Sequence, residues 1–236
     1  MSRDETLPTT RDDASDEVAC LHAVASAARA AVATVAAFEF AQRRLHPPDL
    51  PRLRAGMARV GDEVTTAIAA LREAPRPAAL APAIEQLDGV LTQAKTAIGL
   101  FVTSDAAPAS PARLLAALRG ACRVQEQLYP LRRALPPVAR LFVESAAADR
   151  LARLDADAAA SAESGFHHAG RDGPDGRGGF VLHVPESFDG RTPLPLVVAL
   201  HGAFGFGQDF VWTWLFETRT RGCLLIAPTS SDTTWS

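Results

Sequence analysis

The sequence has 236 residues, of which 47% are hydrophobic and 22% charged, and its formal net charge at pH 7 is −3. This length allows one large domain or two small ones, and the composition is that of a soluble globular protein with a packed core. Nucleic-acid-binding proteins usually carry an excess of positive charge, whereas the net charge of this chain is slightly negative, so nucleic acid is not expected as a partner.

Residues 1–14 are expected to form a disordered tail. The first of them are polar and include acidic residues, without the basic and apolar regions of a secretory signal. Three cysteines, Cys20, Cys122 and Cys223, are widely spaced and form no Cys-x-x-Cys pair. This spacing argues against a disulfide framework and a zinc site, and it favours free thiols in a reducing compartment. We therefore expect a cytoplasmic protein.

Residues 15–163 show apolar residues at helical spacing, which predicts an antiparallel bundle of four or five helices. The clearest stripe consists of Val18, Leu21, Ala25, Ala28, Val32, Val35 and Phe38. Two further stripes run from Leu53 to Leu71 and from Ile84 to Phe101. The last two predicted helices have these apolar positions: Leu114, Leu118, Cys122 and Leu128 for the fourth, and Val138, Leu141, Phe142, Ala148 and Leu151 for the fifth.

Proline-containing segments separate the predicted helices, and Ser110-Pro111 is the expected N-cap and first position of the fourth. Leu21–Ala41 is the longest stretch of low polarity, but its His22, Arg29 and Glu39 would be costly in a bilayer core. We expect a buried helix there and no transmembrane segment. The sequence of the predicted bundle does not show whether it is a cap over an active site, an oligomerisation unit or a partner-binding module.

Residues 164–236 follow a different pattern of short apolar runs between Gly- and Pro-rich segments. Phe180–Val184, Leu196–Leu200 and Cys223–Ala227 predict strands, and the last two are apolar on both faces, as in a mostly parallel sheet covered by helices on each side. Gln208–Arg221 predicts a helix between them, which completes a βαβ unit. The predicted fold class is therefore α/β, with an all-α helical bundle preceding the sheet.

Two residue pairs in this region could suggest metal binding. His167 and His168 are adjacent, so they point in different directions, and no spaced set of carboxylates or cysteines accompanies them. Asp172 and Asp175 lie among glycines but lack the acidic spacing and final glutamate of a calcium loop. A solvated loop or hairpin explains both pairs, and we predict neither a metal nor a cofactor.

The strand Leu196–Leu200 ends in the sequence His201-Gly202-Ala203-Phe204-Gly205-Phe206-Gly207. Glycines after a strand let a substrate approach the backbone, and the N-terminus of the following helix favours negative charge. The glycine order does not match Gly-x-Gly-x-x-Gly, and no lysine of a Walker loop is nearby, so nucleotide binding is the weaker interpretation. Stabilisation of an oxyanion by backbone N–H groups is the stronger one.

An ordered set of motifs surrounds this loop: strand ends at Val184-Pro185, His201-Gly202 and Ala227-Pro228, with Asp209-Phe210 at the start of the helix. In this order they resemble the opening strands of an α/β-hydrolase. The similarity is greatest to the esterase, phospholipase-carboxylesterase and polyhydroxybutyrate-depolymerase-like group. It covers about the last third of the chain.

This resemblance implies a role for each residue of the loop. Ala203 would donate one oxyanion-hole N–H, and Phe204 is the neighbouring candidate donor. Gly202 would allow the turn, His201 would brace the loop, and Gly205 would help to shape it. The implied substrate is a small-molecule or lipid ester, hydrolysed through an acyl-enzyme.

The family also has a serine nucleophile in Gly-x-Ser-x-Gly, then an acidic residue and a histidine, and the motif does not occur in this sequence. We therefore expect the N-terminal part of a longer hydrolase, inactive alone, whose bundle or exposed sheet edges could mediate oligomerisation. The alternative is a protein that is not an enzyme: a helical interaction module with a vestigial hydrolase-like tail. A longer gene product that carries the Gly-x-Ser-x-Gly motif would favour the hydrolase. A stop codon after Ser236 would favour the interaction module.

Overall fold

The structure is a computed structural model that describes residues 10–103, 111–147, 164–170 and 176–235. The chain divides into two compact units, Met1–Gln127 and Leu128–Ser236. The sequence pattern changes near residue 164, but the second unit begins before that point. It therefore includes a short helical segment that the sequence assigned to the bundle.

The first unit is helical and contains α1 (Thr10–Gln42), α2 (Leu50–Glu73), α3 (Ala81–Val102) and α4 (Pro111–Leu128), whose last residue begins the second unit. A 3-10 turn, Pro47–Asp49, leads into α2. The first three helices pack against one another. Because α1 begins at Thr10, it includes residues that were expected to lie in the disordered tail. The predicted N-cap of α4, Ser110, lies outside the described residues.

The predicted apolar stripes of α2 and α3 are confirmed as core faces. In α2 the buried residues include Leu53, Met57, Val64, Ile68 and Leu71. In α3 they include Ile84, Leu87, Leu91, Ala94, Ile98 and Phe101. Both helices carry proline in the first turn, where its missing N–H removes no helical hydrogen bond.

The predicted stripe of α1 is wrong in its N-terminal half. Val18 and Leu21 are 53% and 46% exposed, whereas Cys20, Val24 and Ala27 are buried. Alanine covers so much of this helix that several faces are nearly equally apolar, so periodicity alone does not select one. Further along, the predicted Val35 and Phe38 are buried, and the Phe38 ring packs edge-on against Phe101 of α3 with centroids 5.7 Å apart.

The last two predicted helices also need correction. In α4 the predicted Leu128 is buried, together with Ala117, Gly120, Ala121 and Val124, whereas the predicted Leu114, Leu118 and Cys122 are only partly buried. The predicted fifth helix is the short α5 (Pro136–Leu141), which belongs to the second unit because Phe142 at its end packs there. Ala148 and Leu151 of its predicted stripe lie outside the described residues.

One helical segment among the described residues, Ser15–Gln42, is long and apolar enough to cross a membrane by length and composition. Half of its most apolar window is buried within the protein. The core helix of a water-soluble bundle shows the same properties, which agrees with the expectation of no transmembrane segment.

The second unit contains a four-stranded mixed sheet. In addition to α5 it has two 3-10 turns, Tyr129–Arg133 and Ser145–Ala147, and one longer helix, α6 (Gly207–Arg221). Its strands are β1 (Gly165–Ala169), β2 (Phe180–Val184), β3 (Leu196–Val198) and β4 (Leu224–Pro228). Their order is β1-β2-β4-β3. β2 is antiparallel to both neighbours, and β3 is parallel to β4.

The α/β class is thus confirmed, and β3, α6 and β4 form the predicted βαβ unit. The expectation of a mostly parallel sheet is wrong, because β1 and β2 add two antiparallel pairings. The sequence did not predict β1, an edge strand whose two histidines were expected in a solvated loop or hairpin. His167 and His168 are exposed on it, in a hairpin with β2.

Burial differs between the two sides of the sheet. Helix α6 packs against β4 and β2, and its Val211, Trp212 and Leu215 are buried. On β3 and just beyond it, Leu196, Val198 and Leu200 are 57%, 54% and 57% exposed. The predicted strand is therefore apolar on both faces, but the face of Leu196, Val198 and Leu200 is uncovered in the described part of the chain, while Val197 and Ala199 on the other face are partly and fully buried.

Two helical glycines give a matched test of the packing in the first unit. A Cβ at Gly120 of α4 would lie 2.7 Å from the Cβ of Ala97, whereas at Gly89 of α3 it would meet nothing within 4 Å. We predict that Gly89→Ala raises the free energy of unfolding by up to about 1 kcal/mol through helix propensity. Gly120→Ala should lower it by about 1–2 kcal/mol because overpacking outweighs that gain. Urea unfolding measures both, and equal effects would refute the close contact.

Candidate functional site

The segment between β3 and α6 carries the residues that the sequence singled out, and its ends are bonded to β4 and to the residue that follows β4. Ala199 donates its N–H to the carbonyl of Ile226 at 2.8 Å, which continues the parallel pairing beyond β3. Gly207, the first residue of α6, donates its N–H to Thr229 Oγ1 at 2.9 Å. The seven-residue motif thus crosses the end of the sheet between two fixed points.

His201 connects this loop to the chain that follows β4. Its imidazole is buried, its Nε2 accepts the N–H of Ser230 at 3.1 Å, and its Nδ1 lies 2.6 Å from the carbonyl of Gly202. Because Nε2 must accept, the proton belongs on Nδ1 and the ring is neutral. Trp235 donates its indole N–H to the His201 carbonyl at 2.7 Å, and the two rings pack with centroids 4.7 Å apart.

The glycines of the loop are required to different degrees. A Cβ at Gly205 would lie 2.8–2.9 Å from atoms of the His201 side chain, and one at Gly207 would lie 2.1 Å from the carbonyl oxygen of Ala227. At Gly202 a Cβ would meet nothing within 4 Å. The left-handed backbone conformation occurs instead at Phe204, with φ 61°. The turn therefore depends on Phe204, and Gly202 leaves open space beside the loop.

The two predicted oxyanion donors differ in availability. The N–H of Phe204 is bound to the carbonyl of Thr233 at 2.7 Å, and that of Gly205 to the carbonyl of Gly202 at 3.1 Å. Within the described residues the N–H of Ala203 has no hydrogen-bond partner, and the residue is exposed. The loop therefore presents Ala203 as a donor and uses Phe204 to hold its own shape.

The described part of the site contains no paired nucleophile and base. The lone pair of His201 Nε2 is occupied by a backbone N–H, so this imidazole is not a general base. Ser230 is buried, and its hydroxyl donates to the carbonyl of Asp232 and accepts from Arg177. The described part of the loop can therefore donate a hydrogen bond from the Ala203 N–H to an electron-rich oxygen of a ligand.

A second polar cluster lies in the same unit, and sequence reasoning missed it. The Glu186 carboxylate, just after β2, is buried and accepts from Arg132 at 3.0 Å and from Arg219 of α6 at 3.0 and 3.2 Å. The Tyr129 hydroxyl donates to Glu186 at 3.2 Å and lies 3.0 Å from His183 Nε2. These residues come from three segments that are far apart in sequence, 129–132, 183–186 and the end of α6, so no single spacing pattern marks the cluster.

Burial and neighbouring charges determine which groups of this cluster are ionised. Burial alone would raise the pKa of Glu186, but the nearby Arg219, together with a backbone hydrogen bond, His183 and Arg132, lowers it overall. Burial lowers the pKa of His183 to about 4, and the two arginines add to this effect against Glu186. Burial and the Glu186 charge raise the pKa of Tyr129. Glu186 is therefore the ionised acid, and His183 and Tyr129 are neutral near pH 7.

The remaining candidates do not assemble into a site. Among the described residues no group of three or more His, Cys, Asp or Glu is placed to hold a metal ion. Asp172, Asp175 and Ser236 lie outside the described residues. Comparison with protein-family models, with curated proteins and with solved structures finds no match to this chain.

The contrast between the two loop glycines is testable. Gly205→Ala forces the new methyl against His201, so we predict a loss of about 1–3 kcal/mol in the free energy of unfolding. Gly202→Ala adds the same methyl in open space and should change it by less than about 0.5 kcal/mol. Thermal and urea unfolding of both variants provide the measurement. An unchanged Gly205→Ala variant would show that His201 is not packed as described.

The low pKa of His183 predicts a pH dependence of stability. Its pKa is about 4 in the folded state against 6.5 for the unperturbed group, so the unfolded state binds more protons between these values. The contribution of His183 to the free energy of unfolding should therefore be complete above pH 6.5. Between pH 6.5 and about 4 this free energy should fall by roughly 1 kcal/mol per pH unit as the pH decreases. The variant His183→Gln should lack this contribution. Parallel urea titrations at several pH values isolate it, and identical slopes would contradict a buried neutral His183.

Proposed function

We propose that this chain contributes one oxyanion-hole donor, the N–H of Ala203, to a serine-hydrolase-type carboxylic ester hydrolase. The observation that supports this most is the exposed N–H of Ala203, which has no partner among the described residues and lies in a loop braced by a buried histidine. The loop lies between the third strand and the following helix. In α/β-hydrolases this position supplies one of the two oxyanion donors.

The chemical contribution of Ala203 follows from the charge that develops during acyl transfer. As the nucleophile adds to the ester carbon, the carbonyl oxygen becomes negative, and a fixed N–H donor binds it more strongly than the neutral carbonyl. Each such donor lowers the barrier by about 3 kcal/mol. Because His201 ties the loop to Ser230, the donor needs little reorganisation when the charge appears.

The second donor of the proposed hole does not come from this loop. Phe204 uses its N–H for Thr233, so it is not available to an oxyanion while that bond is made. In the family, the second donor is the N–H of the residue after the nucleophile. The proposal therefore needs a segment that carries both the nucleophile and the second donor.

These 236 residues contain no Gly-x-Ser-x-Gly, so the proposal takes the nucleophile from outside this sequence and expects no turnover by this chain alone. The proposed substrate is a small-molecule or lipid ester. A cytoplasmic location is part of the same proposal, supported by three cysteines that form no disulfide, of which Cys20 and Cys223 are buried. Association through the exposed edge strand β3 is also proposed, because its Leu196 and Val198 are more than half exposed.

Removal of the Ala203 N–H tests the proposal. The experiment uses the longest product of the same locus that carries this loop, assayed with short-chain p-nitrophenyl esters and labelled with a fluorophosphonate. Ala203→Pro deletes the donor, and we predict a fall in kcat of about 100- to 1,000-fold with little change in KM. Ala203→Ser keeps the N–H and should retain activity.

Two outcomes would contradict the proposal. One is full activity of a folded Ala203→Pro variant, with folding checked by thermal unfolding of both variants. The other is that no product of the locus takes the fluorophosphonate label. The second outcome would instead favour a non-catalytic helical module.

A further inference from the structure

A cavity of about 640 Å³ opens in the helical unit between the C-terminal part of α1 and the N-terminal part of α2. Its apolar lining comes from both helices: Ala37, Phe40, Ala41, Leu53 and Met57. Its volume lies within the range of small-molecule binding sites. Gly56 also lines it, and a Cβ there would meet nothing within 4 Å, so the space extends to the α2 backbone.

The same cavity is bordered by an excess of positive charge. Arg44, Arg52 and Arg59 line it, and Asp49 is the acidic residue among the lining residues. No carboxylate in the described part of the chain lies within ion-pair distance of these three arginines. By contrast, Arg72 on the same helix α2 is paired with Asp88 at 2.7 Å. The cationic border is thus unneutralised on a chain whose net charge is negative.

One arginine is already oriented by an aromatic ring. The guanidinium of Arg44 lies over the Phe40 ring, 4.0 Å from its centroid, where the cation is attracted to the ring face. This contact leaves the N–H groups at the edge of the guanidinium free to face an anion. A planar guanidinium with two parallel N–H groups matches the two oxygens of a carboxylate.

We propose that this cavity binds an amphipathic carboxylate, with its hydrocarbon chain against the apolar lining and its headgroup among the arginines. Burial of the hydrocarbon chain and neutralisation of neighbouring positive charges both favour the complex. A purely apolar ligand would leave the charge excess unchanged, and a small inorganic anion would leave the apolar surface uncovered. The proposal rests on the helical unit alone and does not depend on the proposed hydrolase function.

Calorimetric titration of this chain with decanoate, below its micelle concentration, tests the proposal. We expect saturable binding of one molecule, and much weaker binding of acetate, which lacks the chain, and of decyltrimethylammonium, which reverses the charge. Affinity should fall with added salt, because part of it is charge attraction at an exposed border.

Substitutions at the cavity give the decisive comparison. Gly56→Leu fills the space and should weaken decanoate binding at least about tenfold, while Gly89→Leu, at an exposed helical glycine that does not line the cavity, should leave it within about twofold. Arg52→Gln combined with Arg59→Gln should also weaken it at least about tenfold, and Arg29→Gln, outside the cavity, should not. Circular dichroism verifies that each variant is helical.

Three results would overturn the proposal. The first is the absence of saturable decanoate binding. The second is equal affinity of the folded Gly56→Leu and Gly89→Leu variants, which would place the ligand elsewhere. The third is equally tight binding of decyltrimethylammonium, which would show that the arginines do not select the headgroup.

Discussion

The second unit depends on one buried charge, the Glu186 carboxylate, and on the two arginines that neutralise it. Arg132 lies in the turn that opens the unit and Arg219 lies near the end of α6, so a single side chain joins two separate segments to the end of β2. Loss of one partner of such a pair leaves a charge without compensation and costs about 3–5 kcal/mol. Since α6 follows the candidate loop directly, this pairing also fixes the helix on which the loop ends.

Two buried histidines support this unit in different ways, and both are neutral. His183, a residue of β2, is neutral because burial disfavours its charged form, and its Nε2 lies 3.0 Å from the Tyr129 hydroxyl. His201 is neutral because a backbone N–H occupies its Nε2, and this bond holds the loop against the chain after β4. The loop therefore keeps its shape through the bonded N–H groups of Phe204 and Gly205, and it leaves the exposed N–H of Ala203 without a partner among the described residues. Phe204 thus holds the shape of the loop, and Ala203 offers a hydrogen-bond donor to solvent.

Sequence reasoning succeeded where a local pattern determines the structure. The stripes of α2 and α3, the strands β2, β3 and β4, and the crossover helix α6 follow from periodicity and turn residues. The face of α1 did not follow, because alanine makes its sides similar, and β1 was missed because its histidines are exposed. The Glu186 cluster and the Phe204–Thr233 bond join residues distant in sequence, and only the folded chain shows them. The positive charge around the cavity between α1 and α2 is likewise visible only in the folded chain, which shows that Arg72 is paired with Asp88 while Arg44, Arg52 and Arg59 have no ion pair among the described residues.

The central claim is that Ala203 presents a backbone N–H with no partner among the described residues, beside Phe204 and Gly205, whose N–H groups are bonded. Amide hydrogen exchange measured residue by residue by NMR tests it most directly. The account predicts slow exchange at Phe204, Gly205 and Ser230, whose N–H groups are bonded, and exchange near the unprotected rate at Ala203. Protection of Ala203 equal to that of Phe204, or fast exchange at all four residues, would contradict it.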